Sequence, residues 1–133
     1  MVQITDQPLN PGSVINSVKT DDSGCVSAYI GLIRDNSNGK PVQSVEYSDE
    51  DGAAVEGLRI IESEIWQKWP VNSMAIVHRV GLLEVGEINL VVAIAACHRG
   101  EAFAACQYAV DRFKELMPAP KAETYTDGSI ATW

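Results

Sequence analysis

The pattern of apolar residues and turn signals along this 133-residue chain predicts an α+β fold with a largely antiparallel sheet. Two stretches of helical periodicity are separated by short segments rich in β-branched residues, and glycine, proline, asparagine or aspartate residues stand between neighbouring segments. With 46% hydrophobic and 21% charged residues, the chain can bury a core. Its length is that of one ordinary domain, so we expect residues 1–133 to form a single domain with two main helices.

The N-terminal part of the chain predicts three strands and one short helix. Residues 2–5 are a short strand candidate, and residues 13–19, which follow an Asn-Pro-Gly turn, can form a short helix. A strand is expected from residue 25 to about residue 34, and residues 42–48 alternate apolar and polar side chains as a half-buried strand does. Pro41, just before this last segment, cannot lie within a central strand because it lacks an N–H donor.

Two segments carry the three- and four-residue spacing of apolar side chains that is typical of an amphipathic helix. The first, residues 49–69, ends at Pro70, and its other face is acidic, as is usual for a solvated surface. The second runs from about residue 99 to residue 117, and Pro118 and Pro120 end it. Each helix is therefore expected to pack one apolar stripe against the sheet.

The segments around these helices predict further strands. Residues 74–80 are a strand candidate, and residues 81–86, with a glycine at each end, are expected to form a turn region. Residues 88–97 are almost continuously apolar, which indicates a strand covered on both faces. After the second long helix, residues 124–126 have a strand-like composition and precede an Asp-Gly turn.

The chain is acidic, since 10 Lys and Arg residues stand against 18 Asp and Glu residues, a formal net charge of −8. This balance argues against non-specific binding to nucleic acid or to an anionic membrane, which requires a basic surface. Cations are concentrated in residues 98–121, which contain four of them and three carboxylates. The last long helix and the residues that follow it are therefore the relatively basic part of the chain.

The cysteine and histidine content argues against a metal centre or a disulfide framework. Three cysteines without CxxC spacing and two histidines do not furnish such sites, and no glycine-rich phosphate loop is present, so we expect no metal and no cofactor. Cys97 and Cys106 lie in apolar surroundings and are expected to be buried and inert. With no leader peptide and no apolar run of about 20 residues, the sequence predicts a reduced, soluble, cytoplasmic protein.

Two His-Arg pairs are candidate anion-binding positions. His98 and Arg99 lie where a buried strand meets the start of a helix, and free N–H groups there attract anions, to which a guanidinium adds a bidentate donor. The alternative, that Arg99 pairs with a carboxylate such as Glu101 or Glu123 while His98 caps the helix, stays open. For the other pair, at 78–79 before a turn, a structural role is favoured.

Three further cations are ambiguous by position alone. Lys114 lies near a helix C-terminus, where a lysine often only complements the helix dipole. Lys121 follows the Pro-Ala-Pro break at 118–120, and Arg34 lies between a strand and a polar loop. Each of these positions suits either an anion-binding site or an ordinary surface charge.

Six motifs occur in a fixed order along the chain. They are GLIRDNSNG at 31–39, EY at 46–47, HRVGLLEVGE at 78–87, HRGEAF at 98–103, DRFK at 111–114 and PAPKAE at 118–123, followed by Gly128 and Trp133. Together they resemble the large, catalytic subunits of molybdopterin synthases, and the resemblance spans about residues 25–133. Each motif alone is modest, but six in this order at compatible spacing are specific.

The resemblance implies an α/β hammerhead fold and a homodimer that binds small ubiquitin-like sulfur-carrier subunits, giving a heterotetramer. The carrier's C-terminal Gly-Gly thiocarboxylate would donate sulfur to cyclic pyranopterin monophosphate and so form the dithiolene of molybdopterin, a step of molybdenum cofactor biosynthesis. Lys114 and Lys121 match the family's two catalytically important lysines. The motifs also imply a substrate-binding set, namely Leu32, Ile33, Arg34, His98, Arg99, Lys114, Lys121, Ala122 and Glu123.

A site made of Arg, His and Lys suits this chemistry, because a phosphate and a thiocarboxylate are both anions. A desolvated lysine beside other cations would have a lowered pKa and could act as base or nucleophile, and which lysine does so stays open. If residues 99–114 form one continuous helix, its ends lie roughly 22 Å apart. We therefore expect each pocket to be shared across the dimer, with His98 and Arg99 of one chain facing Lys114 and Lys121 of the other.

The chain departs from the family pattern near this expected pocket. Ala119 and Pro120 stand where the family has a bulky apolar residue and an aromatic one, Ala122 replaces a second base, and Asp35 replaces an asparagine. The missing bulk at 119–120 would loosen the pocket or reduce activity. One alternative is therefore a catalytically weak dimeric scaffold that binds the carrier tail without efficient turnover, and another is a regulatory domain that binds a small anion. Retention of both lysines favours the enzyme.

Overall fold

A computed structural model describes residues 1–117 and 120–133 of the chain. The elements of these residues are, in chain order, β1 (Val2–Thr5), α1 (Pro11–Val18), β2 (Cys25–Leu32), β3 (Asn36–Ser37), β4 (Lys40–Tyr47), α2 (Ala54–Lys68), β5 (Val71–Arg79), β6 (Gly81–Glu84), β7 (Ile88–Ala96), α3 (Arg99–Leu116), β8 (Ala122–Tyr125) and β9 (Ile130–Thr132). The strands are mostly antiparallel, and α2 and α3 are the long helices. The predicted α+β class is therefore confirmed.

The central sheet has the strand order β1-β5-β7-β2, in which β1 runs parallel to β5 and the other neighbours are antiparallel. β7 lies in its interior and is buried from residue 90 to residue 96. Side chains alternate along it: Val92 and Ile94 pack under α2 and α3, whereas the small Ala93 and Ala95 admit α1 on the opposite face. The prediction of a strand covered on both faces is confirmed.

β4 organises a second sheet beside the first. It pairs with β8 along one edge and with β3 and β6 along the other, and β8 pairs in turn with β9. The buried residues of this sheet form a small core of their own, made of Ile33, Val42, Val45, Leu83 and Tyr125. After α3 the chain thus comes back to β4, where β8 holds Ala122 and Glu123 beside that strand, directly after Lys121.

Local hydrogen bonds account for the limits of the long helices. α2 begins at Ala54, later than predicted, because the Asp49 carboxylate accepts a hydrogen bond from the Ala54 N–H at 2.9 Å and holds the preceding loop out of the helix. α3 ends just before Met117, whose N–H donates to the Phe113 carbonyl at 2.9 Å. Pro118, predicted to end this helix, lies outside the described residues. Within the described ranges, no helix is long and apolar enough to cross a lipid bilayer.

Two segments of the second sheet differ from the prediction. β4 begins at Lys40 and includes Pro41, which lies at the start of the strand opposite Asn36 of β3. The turn region predicted at 81–86 contains β6, because Gly81, at a φ of 103°, redirects the chain and the next residues then pair with β4. The prediction of a turn is therefore wrong for residues 81–84 of that region.

Candidate active site

The predicted site residues lie at two opposite ends of the β2–β7 ladder. At one end, which we call the helix-start end, β7 finishes just before His98 and Arg99, beside Cys25 of β2. At the other end, which we call the cavity end, β2 finishes at Leu32, shortly before Arg34, and the last turn of α3 lies alongside. Seven residue steps along β2, at about 3.3 Å each, separate these ends by roughly 23 Å.

The helix-start end carries exposed groups that suit an anion. A surface depression of about 480 Å³ is lined by Gly24, Cys25, Cys97, His98, Arg99 and Gly100. His98 precedes α3 in an extended conformation, and its side chain makes no capping hydrogen bond. In the described part of the chain Arg99 forms no ion pair, so the alternative pairing with Glu101 or Glu123 is not found there. The N–H groups of a first helical turn need outside partners, which an anion beside Arg99 could provide.

Cys97 is exposed, and the prediction that it is buried is wrong. β7 ends at Ala96, so Cys97 is the first residue beyond the buried strand, and its Sγ donates to the Asp22 carbonyl at 3.4 Å. Cys106, on the inner face of α3, is buried as predicted, and burial raises the pKa of its thiol. An accessible thiol therefore lies next to His98.

A cavity of about 300 Å³ lies at the cavity end, between α3 and strands of both sheets. Its lining consists of Tyr29, Tyr47, Asn89, Leu90, Val110, Phe113, Lys114, Met117 and Pro120. Most of these side chains are apolar or aromatic, as is usual for a pocket that takes a small organic ligand. Lys114 is exposed in the last turn of α3, and among the described residues its amine has no carboxylate partner. The cavity thus combines an apolar wall with an accessible amine.

A β-bulge brings Asn89 into the wall of this cavity. In the β2–β7 ladder Gly31 pairs with Leu90 and Leu32 pairs with Ile88, so Asn89 is an extra residue on β7. A Cβ atom on Gly31 would lie 2.5 Å from Asn89 Oδ1. The bulge and the glycine together make room for a polar amide in a largely apolar wall.

A smaller cavity of about 150 Å³ adjoins the larger one, because Tyr47 and Pro120 line both. It brings together four of the predicted site residues, namely Leu32, Ile33, Arg34 and Glu123. Arg34 is exposed, whereas Glu123 is half-buried on β8 and accepts a hydrogen bond from the Tyr125 hydroxyl at 2.8 Å. These four residues therefore lie at the cavity end, whereas His98 and Arg99 lie at the helix-start end.

Lys121 lies just before β8, and its backbone is anchored on both sides. Its N–H donates to the Glu46 carbonyl at 2.7 Å, and its carbonyl accepts from the Trp133 N–H at 3.1 Å; the next residue, Ala122, pairs with Glu46. Its ammonium donates to Glu50 Oε1 at 3.0 Å, and this bond, followed by the charges of Glu50 and Glu46, raises the pKa of Lys121. The lowered pKa expected of a desolvated lysine is therefore wrong for Lys121, because its side chain is 49% exposed among carboxylates.

The His-Arg pair at 78–79 has the structural role that was favoured. Arg79 donates to Glu87 Oε1 at 2.8 Å, and the same carboxylate accepts the Glu84 N–H at 2.7 Å, which closes the turn between β6 and β7. These hydrogen bonds lower the pKa of Glu87, the one from Glu84 most of all. His78 is buried, and burial lowers the pKa of its imidazole.

Sequence reasoning missed several residues that line the larger cavity. The sequence places Tyr47 in a half-buried strand and in the EY motif, and Asn89 in an apolar strand, and neither residue is in the expected substrate-binding set. A polar amide in the otherwise apolar run 88–97 was a usable signal, but only the strand register reveals the bulge. In the described ranges no three residues among His, Cys, Asp and Glu come together in a way that could hold a metal ion.

The fold defines a mixed α+β protein, and exposed Arg, His and Lys side chains lie at the two ends of its β2–β7 ladder. The family model described as MoaE protein matches residues 4–116, and the chain belongs to this family.

Curated relatives carry the name molybdopterin synthase catalytic subunit. The relative from Bacillus subtilis is 37% identical over 126 residues, which cover 95% of this chain and 80% of the relative. The relative from Nostoc sp. is 40% identical over 131 residues, which cover 98% of this chain and 79% of the relative. Among solved structures, the molybdopterin synthase from Staphylococcus aureus has a TM-score of 0.87 at 29% identity, covering 98% of this chain and 96% of that chain.

Proposed function

We propose that this chain is the catalytic subunit of a molybdopterin synthase. In this reaction sulfur passes from the thiocarboxylated C-terminus of a small ubiquitin-like carrier to cyclic pyranopterin monophosphate, which becomes the dithiolene of molybdopterin. Membership of the MoaE family and identities of 37% and 40% with relatives named for this activity support the proposal. The observation that carries it is the pair of adjoining cavities: Lys114 lines the larger one and Arg34 lines the smaller one. Pro120 lines both cavities, and Lys121 directly follows it.

Lys121 is suited to bind an anion rather than to accept a proton. Its hydrogen bond to Glu50 favours the ammonium form, so the side chain carries its charge at neutral pH. An exposed ion pair of this kind contributes little to stability, so an arriving thiocarboxylate can replace the Glu50 carboxylate as the partner of Lys121 at little cost. We assign Lys121 the role of holding the carrier tail.

Lys114 is placed differently, and we assign it the chemical step. Its neighbours in the wall of the larger cavity are mostly apolar or aromatic, and no carboxylate among the described residues pairs with it. A substrate that covers the cavity would take this amine out of water, which is the condition under which a lysine serves as base or nucleophile. The two lysines thus differ in role because their surroundings differ.

The distance between the two ends supports a pocket shared between two chains. α3 is continuous from Arg99 to Leu116, so the roughly 22 Å between Arg99 and Lys114 holds within one chain. A phosphate held by His98 and Arg99 therefore cannot reach the cavity of the same chain. We propose a homodimer in which each helix-start end completes the cavity end of its partner. Binding of one carrier per chain would then give a heterotetramer, and the predicted cytoplasmic location stays a prediction.

The test is conversion of cyclic pyranopterin monophosphate by the purified chain and a thiocarboxylated carrier, with molybdopterin measured as its fluorescent oxidation product. We expect product with the thiocarboxylated carrier and none with the same carrier ending in an ordinary carboxylate. A carrier that binds, shown by co-elution, without product formation would instead support the weak-scaffold alternative. Lys114→Arg is the informative variant, because it replaces the amine with a guanidinium, which does not give up its proton in proteins.

A further inference from the structure

His78 lies buried behind the larger cavity, and the proposed reaction does not use it. It is 4% exposed and lies on the face of β5 that α2 and α3 cover. Its ring packs edge-on against two rings of the cavity wall, with centroid distances of 5.1 Å to Tyr47 and 4.9 Å to Phe113 and interplanar angles of 84° and 77°. Edge-to-face pairs of this kind stabilise a fixed geometry of the rings.

Hydrogen bonds connect the same histidine to the bulge in β7. His78 Nδ1 donates to the Asn89 carbonyl at 2.8 Å, and since a carbonyl only accepts, Nδ1 carries the proton of the neutral ring. Asn89 Nδ2 donates in turn to the Tyr47 hydroxyl at 3.1 Å. Asn89 has no pairing residue on β2, because it is the extra residue of the bulge. The His78 bond therefore anchors a position that the ladder leaves unpaired.

We propose that His78 is a positioning residue of the cavity, which holds the bulge at Asn89 and the rings of Tyr47 and Phe113 and thereby sets where the Lys114 amine lies. Phe113 and Lys114 are consecutive in the last turn of α3, so a shift of the Phe113 ring moves the backbone that carries the amine. Tyr47 lines both cavities, so the same ring contact links the wall beside Lys114 to the smaller cavity.

The charges around His78 suit this role. Burial lowers the pKa of the imidazole, and the Asn89 hydrogen bond and the Asp49 carboxylate oppose that effect only in part. The groups that face the ring from β4 and α3 are the uncharged side chains of Tyr47 and Phe113. A neutral ring places no second positive charge behind Lys114, so it holds the wall without repelling the amine.

The kinetic test compares His78→Phe with a matched control. His78→Phe keeps a ring of similar size and removes the N–H donor, whereas Val77→Ala alters the neighbouring residue, which is 3% exposed on the opposite face of β5. This readout rests on the proposed function. We expect His78→Phe to lower kcat about tenfold with KM for the carrier changed less than about twofold, because displacing a reacting group slows the chemical step. Val77→Ala should keep kcat within about twofold; equal values of kcat in both variants would overturn the proposal.

A second measurement needs no turnover. Lysines dimethylated with 13C-formaldehyde give one NMR resonance each, and the resonance of Lys114 is assigned by its loss in Lys114→Arg. We expect His78→Phe to move this resonance and Val77→Ala to leave it in place. A resonance that stays unmoved in His78→Phe overturns the positioning role. If the unaltered chain fails to convert the pterin, the proposed function fails, and this resonance still decides the role of His78.

Discussion

The helix-start end and the cavity end are built on the same two strands, yet they hold their charged side chains in different ways. At the helix-start end, His98 and Arg99 extend from the first turn of α3 into an open depression. At the cavity end, Lys114 belongs to an aromatic wall and Lys121 is tied to Glu50. The first end offers an open surface beside cationic side chains, and the second offers a cavity with a largely apolar and aromatic wall. Under the proposed function a complete site needs both ends, and the distance between them is the reason for the proposal that they come from different chains.

The largest effect on activity is expected for a substitution at each end, tested singly and then combined in hybrid dimers. Arg99→Ala and Lys121→Ala should each lower activity about a thousandfold, as removal of a group from a catalytic set does. When the two variants carry different affinity tags and are purified through both, every dimer is a hybrid with one intact site and one doubly altered site. We expect such hybrids to regain about half of the wild-type rate per dimer, since a two-fold symmetric dimer has two equivalent sites.

A hybrid of Lys114→Ala with Lys121→Ala is the matched control for this experiment. Both changes lie at the cavity end, so each pocket keeps one defect and no activity should return. Verified Arg99→Ala and Lys121→Ala hybrids that stay inactive would show that each site is built within one chain.

The next prediction compares the stability effects of replacing Gly24, which directly precedes β2, and Gly31, which lies near the end of that strand. A Cβ on Gly24 would collide with the Cys97 carbonyl, a backbone group at the β7–α3 junction. A Cβ on Gly31 would collide with the end of the Asn89 side chain and would press on the Tyr29 ring, and both of these are side chains. We expect Gly24→Ala to lower the free energy of unfolding by about 3 kcal/mol and Gly31→Ala by about 1 kcal/mol, measured by urea denaturation. Equal losses would mean that the Asn89 amide is as immobile as the backbone.

A smaller effect is expected of pH on the free energy of unfolding, and it arises from His78, behind the larger cavity. Burial holds the pKa of His78 in the folded protein below its ordinary value of 6.5, so below about pH 6.5 the unfolded chain binds more protons than the folded one. The free energy of unfolding should therefore fall as the pH drops below about 6.5. Glu87 also has a lowered pKa, but its contribution to stability is lost only below its ordinary pKa of 4.5, so the two effects occur in different pH ranges. Denaturation curves between pH 7.5 and about pH 5 measure this.

His78→Phe should flatten the pH dependence in that range. His98→Gln, which removes the chain's other imidazole at the helix-start end, is the control and should retain it. A slope that persists unchanged in His78→Phe would assign the effect to another group.

The smallest effect concerns the accessible thiol. Cys97 is exposed at the helix-start end, whereas Cys106 is buried, with a thiol whose pKa burial raises. A maleimide should therefore modify Cys97 well before Cys106, as peptide mass spectrometry of a time course would show. Added pterin substrate should slow the reaction of Cys97, because the anion would bind beside it. Faster labelling of Cys106 would contradict the packing of α3 against the sheet.

The strands and helices were largely predictable because local patterns determine them. Residues 88–96 of the apolar run form an interior strand of the sheet as expected, and the helical periodicity that follows becomes α3. The strand β6 was missed because its pairing with β4 joins segments far apart in the chain. The exposure of Cys97 was missed for a related reason: the residues before it are apolar, but the strand ends one residue before it.

The candidate site, like the fold, is only partly predictable from the sequence. The order of the six motifs is enough to select Arg34, His98, Arg99, Lys114 and Lys121, because residue type and spacing are properties of the chain alone. Only the folded molecule reveals the rest: the separation of these residues into two ends, the aromatic wall, the bulge at Asn89 and the contact between Lys121 and Glu50. Each depends on strand register or on contacts between residues far apart in sequence, such as positions 50 and 121, and no local pattern records such contacts.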